Sequence, residues 1–188
     1  MEILLDAGHG KNTPGKRSPI WSDGTQLFEW EFNRDIVKRV SELLKAEKIP
    51  YIILVPEDLD ISLKERCSRA NKHKNAFLVS IHANAGGGTG WEIYTSVGRT
   101  KSDEYAQIIF KEFENAFPEF KMRTDLSDGD LDKESNFYIL KNTKCPAVLL
   151  ENFFMDTERD CKFIMSDNGR SRIALAIFNA LKKIYYGL

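Results

Sequence analysis

Four residues that can bind a metal ion or transfer a proton stand at the boundaries of apolar segments. His9 follows the short apolar run at residues 3–5, His82 ends a second run, and Glu151 ends a third. Glu29 lies about one turn ahead of a helical apolar stripe. In an open α/β sheet, ligands gather beyond the carboxyl ends of the strands. We therefore expect these four side chains to meet on one rim of a sheet.

These residue types fit metal-assisted hydrolysis. Two imidazoles and one carboxylate form a catalytic zinc set with an open fourth position, and a second carboxylate can act as the general base. Spacing alone leaves open which of Glu29 and Glu151 has which role. Glu31 is a further candidate ligand, but residues two apart on a helix differ by about 200° in direction, so only one of the two can face a metal. Two of these residues also have a simpler explanation, because His9 could merely occupy a turn and Glu29 suits the dipole of a helix N-terminus.

The hydrophobic pattern predicts the elements that would hold these residues. Apolar residues repeat at helical spacing after Glu29, and short apolar runs bounded by glycine or proline predict strands. The predicted strands cover residues 3–5, 50–56, 76–82, 91–95, 137–140 and 146–151. The predicted helices begin at 29, span 62–74, 101–117 and 156–165, and, after a break at 167–169, span 173–184. This order predicts one α/β domain of three layers over residues 1–188, with a mixed, mostly parallel sheet and helices on both faces.

Two irregular segments interrupt this pattern. Residues 11–28 are rich in proline and glycine and too long for a tight turn, and we expect Trp21 and Phe28 to pack them down. Residues 122–136 are acidic, and a mobile loop on the substrate side and a solvated loop are both open interpretations. The acidic residues are Asp125, Asp128, Asp130, Asp132 and Glu134. An EF-hand fails here because Asp130 stands where the calcium loop requires glycine, so no calcium is expected.

Composition excludes several classes of function. The 188 residues are 42% apolar and 29% charged with a net charge of −1, so we expect neither a nucleic-acid partner nor an anionic membrane surface. No apolar run is long enough for a transmembrane helix, and the first residues lack the pattern of a signal peptide. The three cysteines form no CxxC pair, so neither a disulfide framework nor a thiolate zinc site is expected. We expect Cys145 to be a core thiol and the chain to be a monomer.

Six motifs together resemble a known family. They are Asp6-Ala-Gly-His-Gly10, Glu29-Trp-Glu-Phe-Asn33, Ser62-Leu-Lys-Glu-Arg66 with Asn71, Ser80-Ile-His-Ala-Asn-Ala85, Asn136-Phe-Tyr-Ile-Leu140 and Pro146-Ala-Val-Leu-Leu-Glu-Asn152. The motifs occur in the order seen in a known family. The chain thereby resembles the zinc-dependent N-acetylmuramoyl-L-alanine amidases of amidase type 3, which are cell-wall hydrolases. The resemblance extends over nearly the whole chain. Asn152-Phe-Phe-Met155 departs from the family, which usually has leucine and glycine after the glutamate, and the segments 11–28 and 122–136 look expanded.

The resemblance implies roles for individual residues. His9, Glu29 and His82 would bind Zn²⁺, and Glu151 would be the catalytic base. The substrate would be the amide bond between N-acetylmuramic acid and the L-alanine of the peptidoglycan stem peptide. Action on the cell wall, outside the cytoplasm, would suit an autolysin or an endolysin of phage or mobile-element type, without a separate cell-wall-binding domain.

Two other functions, and the roles of two further residues, stay open as interpretations of the sequence. The chain could be a catalytically inactive relative that binds peptidoglycan, or a zinc peptidase acting on free peptides. Asn84 or Arg66 could assist the reaction, and Arg66 could equally be a structural salt-bridge partner.

Overall fold

Twelve helices and strands make up the part of the chain that the computed structural model describes, residues 1–127 and 129–188. Asp128 of the acidic segment lies outside these residues. The elements are β1 (Glu2–Ala7), α1 (Glu29–Ala46), β2 (Tyr51–Ile53), α2 (Leu63–Ala70), β3 (Ala76–Asn84), β4 (Glu92–Thr95), α3 (Lys101–Ala116), β5 (Lys133–Glu134), α4 (Tyr138–Asn142), β6 (Ala147–Phe154), α5 (Glu158–Met165) and α6 (Asp167–Tyr186).

The sheet has six strands in the order β2-β1-β3-β6-β4-β5. All neighbouring strands run parallel except β4 and β6, which are antiparallel. The prediction of a mixed, mostly parallel α/β sheet is therefore confirmed. The central strands β1, β3 and β6 are almost wholly buried, as expected for strands covered on both faces.

Alternate residues of the central strands belong to two separate apolar cores, which establishes the three layers. Ile3, Leu5 and Val79 pack in the larger core with apolar residues of α1, α3, α5 and α6. Leu4 and Leu78 pack in the smaller core with residues of α2 and α4. Successive strand side chains point to opposite faces of a sheet, so helices cover both faces. No described helix is both long and apolar enough to span a bilayer.

The register of the central strands determines what lies at the carboxyl rim. Asp6 of β1 pairs with Ser80 of β3, and His82 of β3 pairs with Glu151 of β6. His9 follows the end of β1 after a single intervening residue, Gly8. Both histidines and Glu151 therefore lie at the same edge of the sheet.

The prediction of a strand at residues 137–140 is wrong, because this segment forms the short helix α4. The amides of Leu140 and Lys141 both donate to the carbonyl of Phe137, at 3.0 and 2.9 Å. A short apolar run does not distinguish a strand from a buried helical turn. The sixth strand of the sheet is instead β5, which pairs with β4 and whose two polar residues carry no strand pattern.

Two helix boundaries also differ from the prediction. Helix α2 ends at Ala70 instead of Lys74, where Asn71 caps it. Helix α6 begins at Asp167, so residues 167–169 form its first turn and the break lies at Ser166. The Ser166 side chain accepts a hydrogen bond from the Gly169 amide at 2.9 Å, a cap that favours helix initiation at this point.

The segment 11–28 is packed down by only one of the two predicted aromatic residues. Trp21 lies against the larger core, and its Nε1 donates to Sγ of Cys161 at 3.3 Å. Phe28 precedes α1 and keeps 37% of its surface exposed, so its predicted packing role is wrong. The segment is therefore anchored by Trp21 at its middle and by the start of α1 at its end.

Candidate functional site

His9 and His82 meet at the carboxyl rim because of the turn after β1. Their rings are 4.9 Å apart between centroids and nearly perpendicular. A Cβ atom at Gly8 would lie 2.2 Å from Cε1 of His82, so only glycine allows this approach. His9 itself has φ 58°, in the left-handed region that few non-glycine residues adopt. The glycine noted in the sequence thus makes room for the second imidazole.

Glu29, at the first position of α1, joins the two imidazoles. Its Oε1 lies 3.2 Å from Nδ1 of His82 and 3.5 Å from Nε2 of His9. Zinc bonds of roughly 2.1 Å at tetrahedral angles separate two ligand atoms by about 3.4 Å. One ligand atom from each of the three residues fits within a 4.8 Å span, so the group could hold a metal ion.

The second carboxylate oxygen of Glu29 gives an independent indication of a ligand. Oε2 is buried and has no hydrogen-bond partner among the described residues. A buried carboxylate oxygen without a partner is costly, and native structures rarely leave one unexplained. A cation bound between Glu29 and the imidazoles would supply the missing partner. The donor set therefore fits a metal ion.

Glu31, the rival carboxylate, is exposed on α1, whereas only 1% of Glu29 is exposed.

Asn33, one turn beyond Glu29, supports the three candidate metal ligands His9, Glu29 and His82, which we call the ligand group. Its Nδ2 donates to the carbonyl of Gly8 at 3.0 Å and to Oε1 of Glu29 at 3.4 Å. In the sequence, Asn33 stood out only as the last residue of the motif Glu29-Trp-Glu-Phe-Asn33, four residues beyond Glu29.

The electrostatics suit metal ligation. Burial lowers the pKa of His9 to about 4, which keeps the imidazole neutral near pH 7. Burial opposes ionisation of Glu29, but its hydrogen bond and charge interaction with His82 hold its pKa below the usual range. Burial also opposes protonation of His82, but the same hydrogen bond raises its pKa. The site therefore favours one positive charge beside Glu29. A metal cation and a proton compete for this position.

Glu151 stands across the rim from the ligand group, on β6. It pairs in register with His82 of β3 and with Glu92 of β4. Burial raises the pKa of Glu151 to about 7, and the charges of Glu29 and Glu92 add to this effect. Its Oε2 is buried without a hydrogen-bond partner among the described residues. A carboxylate with a pKa near 7 is suited to exchange protons at neutral pH.

Arg66 forms a structural salt bridge, which was one of the two interpretations of this residue. It is buried, and its Nη1 donates to Oδ1 of Asp6 and to the carbonyl of Ala7, both at 2.6 Å. Its Nη2 lies 3.3 Å from the carbonyl of His9. Arg34 donates to the same carbonyl at 2.9 Å. The two arginines thus hold the backbone of the turn at His9, and Arg34 was missed in the sequence.

Asn84 is turned toward Glu92, to whose Oε1 its amide donates at 2.6 Å. The same Glu92 anchors part of the acidic segment to β4. Arg123 Nε and Lys133 Nζ each lie 2.6 Å from Oε2 of Glu92. Around Arg123 and Lys133, the segment is therefore docked on the sheet edge and is not simply solvated.

A groove of about 360 Å³ contains the rim residues. His9, His82 and Glu151 line it together with an apolar wall formed by residues at the start of α2 and in α4. Leu63 and Tyr138 of this wall are partly exposed. The sequence did not predict this wall, because α4 was taken for a strand.

The comparison with known proteins identifies the family. A family model described as N-acetylmuramoyl-L-alanine amidase matches residues 3–183. The chain belongs to this family.

Relatives of this amidase-family chain come from bacteria and a phage. It is 30% identical over 189 residues to a sporulation-specific N-acetylmuramoyl-L-alanine amidase of Bacillus subtilis (strain 168), covering 98% of this chain and 68% of the relative. It is 30% identical over 175 residues to an endolysin of Bacillus phage SPP1, covering 92% of this chain and 61% of the endolysin.

Solved amidase structures share the fold. An N-acetylmuramoyl-L-alanine amidase from Clostridium difficile 630 superposes with a TM-score of 0.83 at 28% identity, covering 97% of this chain and 96% of the other. The catalytic domain of the amidase CwlV from Bacillus (Paenibacillus) polymyxa superposes with a TM-score of 0.80 at 25% identity, covering 99% and 98%. The amidase fold expected from the six motifs is thereby confirmed.

Proposed function

We propose that this amidase hydrolyses the amide bond between N-acetylmuramic acid and the L-alanine of the peptidoglycan stem peptide, and that it does so with one zinc ion. The observation that carries the proposal is the convergence of His9, His82 and the unpartnered carboxylate of Glu29 at the sheet rim. Family membership supports the amide bond and the substrate.

His9, Glu29 and His82 would hold the zinc ion. Two neutral imidazoles and one carboxylate leave a net charge of about +1 at the metal, a set typical of catalytic zinc. When bound, zinc acts as a Lewis acid and lowers the pKa of water toward neutrality. The buried Asn33 and the arginines behind His9 would keep the ligands oriented, and such supporting contacts commonly tune metal affinity.

Glu151 would transfer the proton. As general base it accepts a proton from the water that attacks the lactyl carbonyl carbon. As general acid it then returns that proton to the leaving nitrogen of L-alanine, so that the amide C–N bond breaks and a carboxylic acid and a free amine result. The raised pKa near 7 suits both steps, because the group must accept and release a proton at neutral pH.

The cell wall would be the place of action, with peptidoglycan as the partner. The amidase family and the similarity to a phage endolysin support this location. Both an autolysin and an endolysin role agree with the site.

Mass spectrometry of fragments released from purified peptidoglycan tests the proposal. We expect peptides that begin with L-alanine and glycan strands with free lactyl carboxyl groups, together with about one zinc per chain by elemental analysis. Cleavage of free peptides but not of sacculi would instead favour a zinc peptidase. Binding to sacculi without any release would favour an inactive peptidoglycan-binding relative.

A further inference from the structure

A second cavity of about 230 Å³ adjoins the groove. The turn at residues 11–17 forms one side of it, and Phe28 and Trp30 form the other. Lys16 lines both this cavity and the groove that contains His9 and Glu151. The two spaces therefore meet at a single lysine beside the candidate metal site.

The charge of this second cavity is one-sided. Lys11, Lys16 and Arg17 line it, and no aspartate or glutamate among the described residues does. All three cations are exposed. Within residues 1–127 and 129–188, no carboxylate oxygen lies within 4.0 Å of their charged nitrogens. Arg34 and Arg66, which contact the carbonyl of His9, both donate hydrogen bonds to protein acceptors. We call the group of Lys11, Lys16 and Arg17 the cationic turn.

The backbone of the cationic turn is fixed relative to the ligand group. The carbonyl of Lys16 accepts a hydrogen bond from the amide of Glu29 at 3.1 Å. Arg17 forms a β-bridge with Phe28. The Thr13 hydroxyl accepts from the Gly10 amide and donates to Asp60, both at 2.9 Å. The three cations thus extend from a backbone that is held at both ends of the turn.

Unpaired cations on a fixed backbone next to a reacting bond can bind an anionic group of the substrate. In the peptidoglycan stem, L-alanine is followed by a glutamate that is linked through its side-chain carboxyl, so its α-carboxylate stays free unless it is amidated. Consecutive Cα atoms are about 3.8 Å apart, which places this carboxylate within roughly 7 Å of the scissile nitrogen. Lys16 lines the same groove as His9 and Glu151, so it is the cation placed to meet such a carboxylate.

We infer that Lys16, supported by Lys11 and Arg17, binds the free α-carboxylate of the second stem residue and makes the enzyme selective for the unamidated stem. This inference rests on the proposed function for its substrate. The segment 11–28 would then determine substrate specificity and would not be only a surface loop.

Calorimetric titration with two stem peptides tests the inference without relying on turnover. The peptides are L-alanyl-γ-D-glutamyl-L-lysine with a free α-carboxylate on the glutamate and the same peptide with that carboxylate amidated. We expect the free form to bind about five- to tenfold more tightly, as for a partly solvated charge-assisted contact. In Lys16→Gln this ratio should fall close to one.

Lys74→Gln is the matched control. Lys74 is exposed and lies beside the amino end of β3, at the rim opposite the site, so this variant should keep the wild-type ratio. Equal affinities of the wild type for the two peptides would overturn the inference, and so would an unchanged ratio in Lys16→Gln. Tighter binding of glycerol phosphate than of the free peptide would also overturn it, because the turn would then select phosphate. Absence of amide cleavage in sacculi contradicts the proposed function alone, so the two failures are distinguishable.

Discussion

His82 and Glu151 are register partners on adjacent parallel strands, so a candidate metal ligand and the candidate proton carrier share one rung of the sheet. Paired residues of neighbouring strands project to the same face of the sheet. Their separation therefore depends on strand pairing inside the core and not on a loop.

The first prediction separates proton transfer from metal binding. Glu151→Gln keeps the shape of the side chain but cannot accept a proton, so the turnover rate on muropeptides should fall by about 10²–10⁴-fold. Zinc content and melting temperature should stay close to those of the wild type. His9→Ala, the comparison variant, should lose zinc as well as activity. Loss of zinc from Glu151→Gln would show that Glu151 is itself a ligand.

The second prediction distinguishes the two carboxylates of the first turn of α1. Glu29→Gln should lose both zinc and activity, because the buried carboxylate contacts both imidazoles. Glu31→Gln should keep both, because Glu31 is exposed. Elemental analysis and turnover on the same preparations measure the effects. The opposite pattern would assign the ligand to Glu31.

The third prediction concerns the glycine between β1 and His9. In Gly8→Ala the new methyl group would meet the ring of His82 at 2.2 Å, so one imidazole must move. We expect zinc affinity, measured by competition with a chromophoric chelator, to fall by about 10–100-fold, as for other losses of ligand orientation. Circular dichroism should show the fold retained. An affinity equal to that of the wild type would mean that the two rings need not lie so close.

The fourth prediction is a pH dependence of stability that arises outside the groove. Asp132 is buried, and burial raises its pKa from 3.8 to about 7 despite a hydrogen bond from Thr95. The charges of Asp130 and Asp103 raise it further. The folded state thus binds the proton more tightly than the unfolded state does. This contribution to stability is complete below about pH 4 and is lost as the pH rises through about 7.

Asp132→Asn removes this titration while keeping an amide that can bond to Thr95. Urea unfolding between pH 5 and pH 8 should show the wild type losing stability relative to Asp132→Asn as the pH rises. Parallel stability curves for the two proteins would show that Asp132 ionises normally in the folded chain.

The elements that hold the site were largely predictable from the sequence. An apolar run that ends in glycine or a charged residue has few alternatives to a buried strand end, which is why β1, β3 and β6 were predicted correctly. The apolar stripe after Glu29 likewise predicted the start of α1. These patterns are local, and the parallel register then brings their ends together.

Other features depend on contacts that a sequence pattern does not record. The run Phe137–Leu140 is equally compatible with a strand and with α4, and its packing beside α2 decides in favour of the helix. Strand β5 has only two polar residues; it pairs with β4, and Lys133 forms a salt bridge with Glu92 of that strand. The position of Lys16 at the groove depends on the path of the 18-residue segment 11–28. The pairing of Arg17 with Phe28 within this segment has no periodic signal.

Both outer strands of the sheet are short: β2 has three residues and β5 has two. An exposed strand edge presents unpaired amides and carbonyls on which another chain can assemble. Here one edge is brief, and the other consists of a lysine and a glutamate. The sheet therefore offers incoming chains little backbone to extend, which protects the folded protein against fibre-like aggregation through its own β-structure.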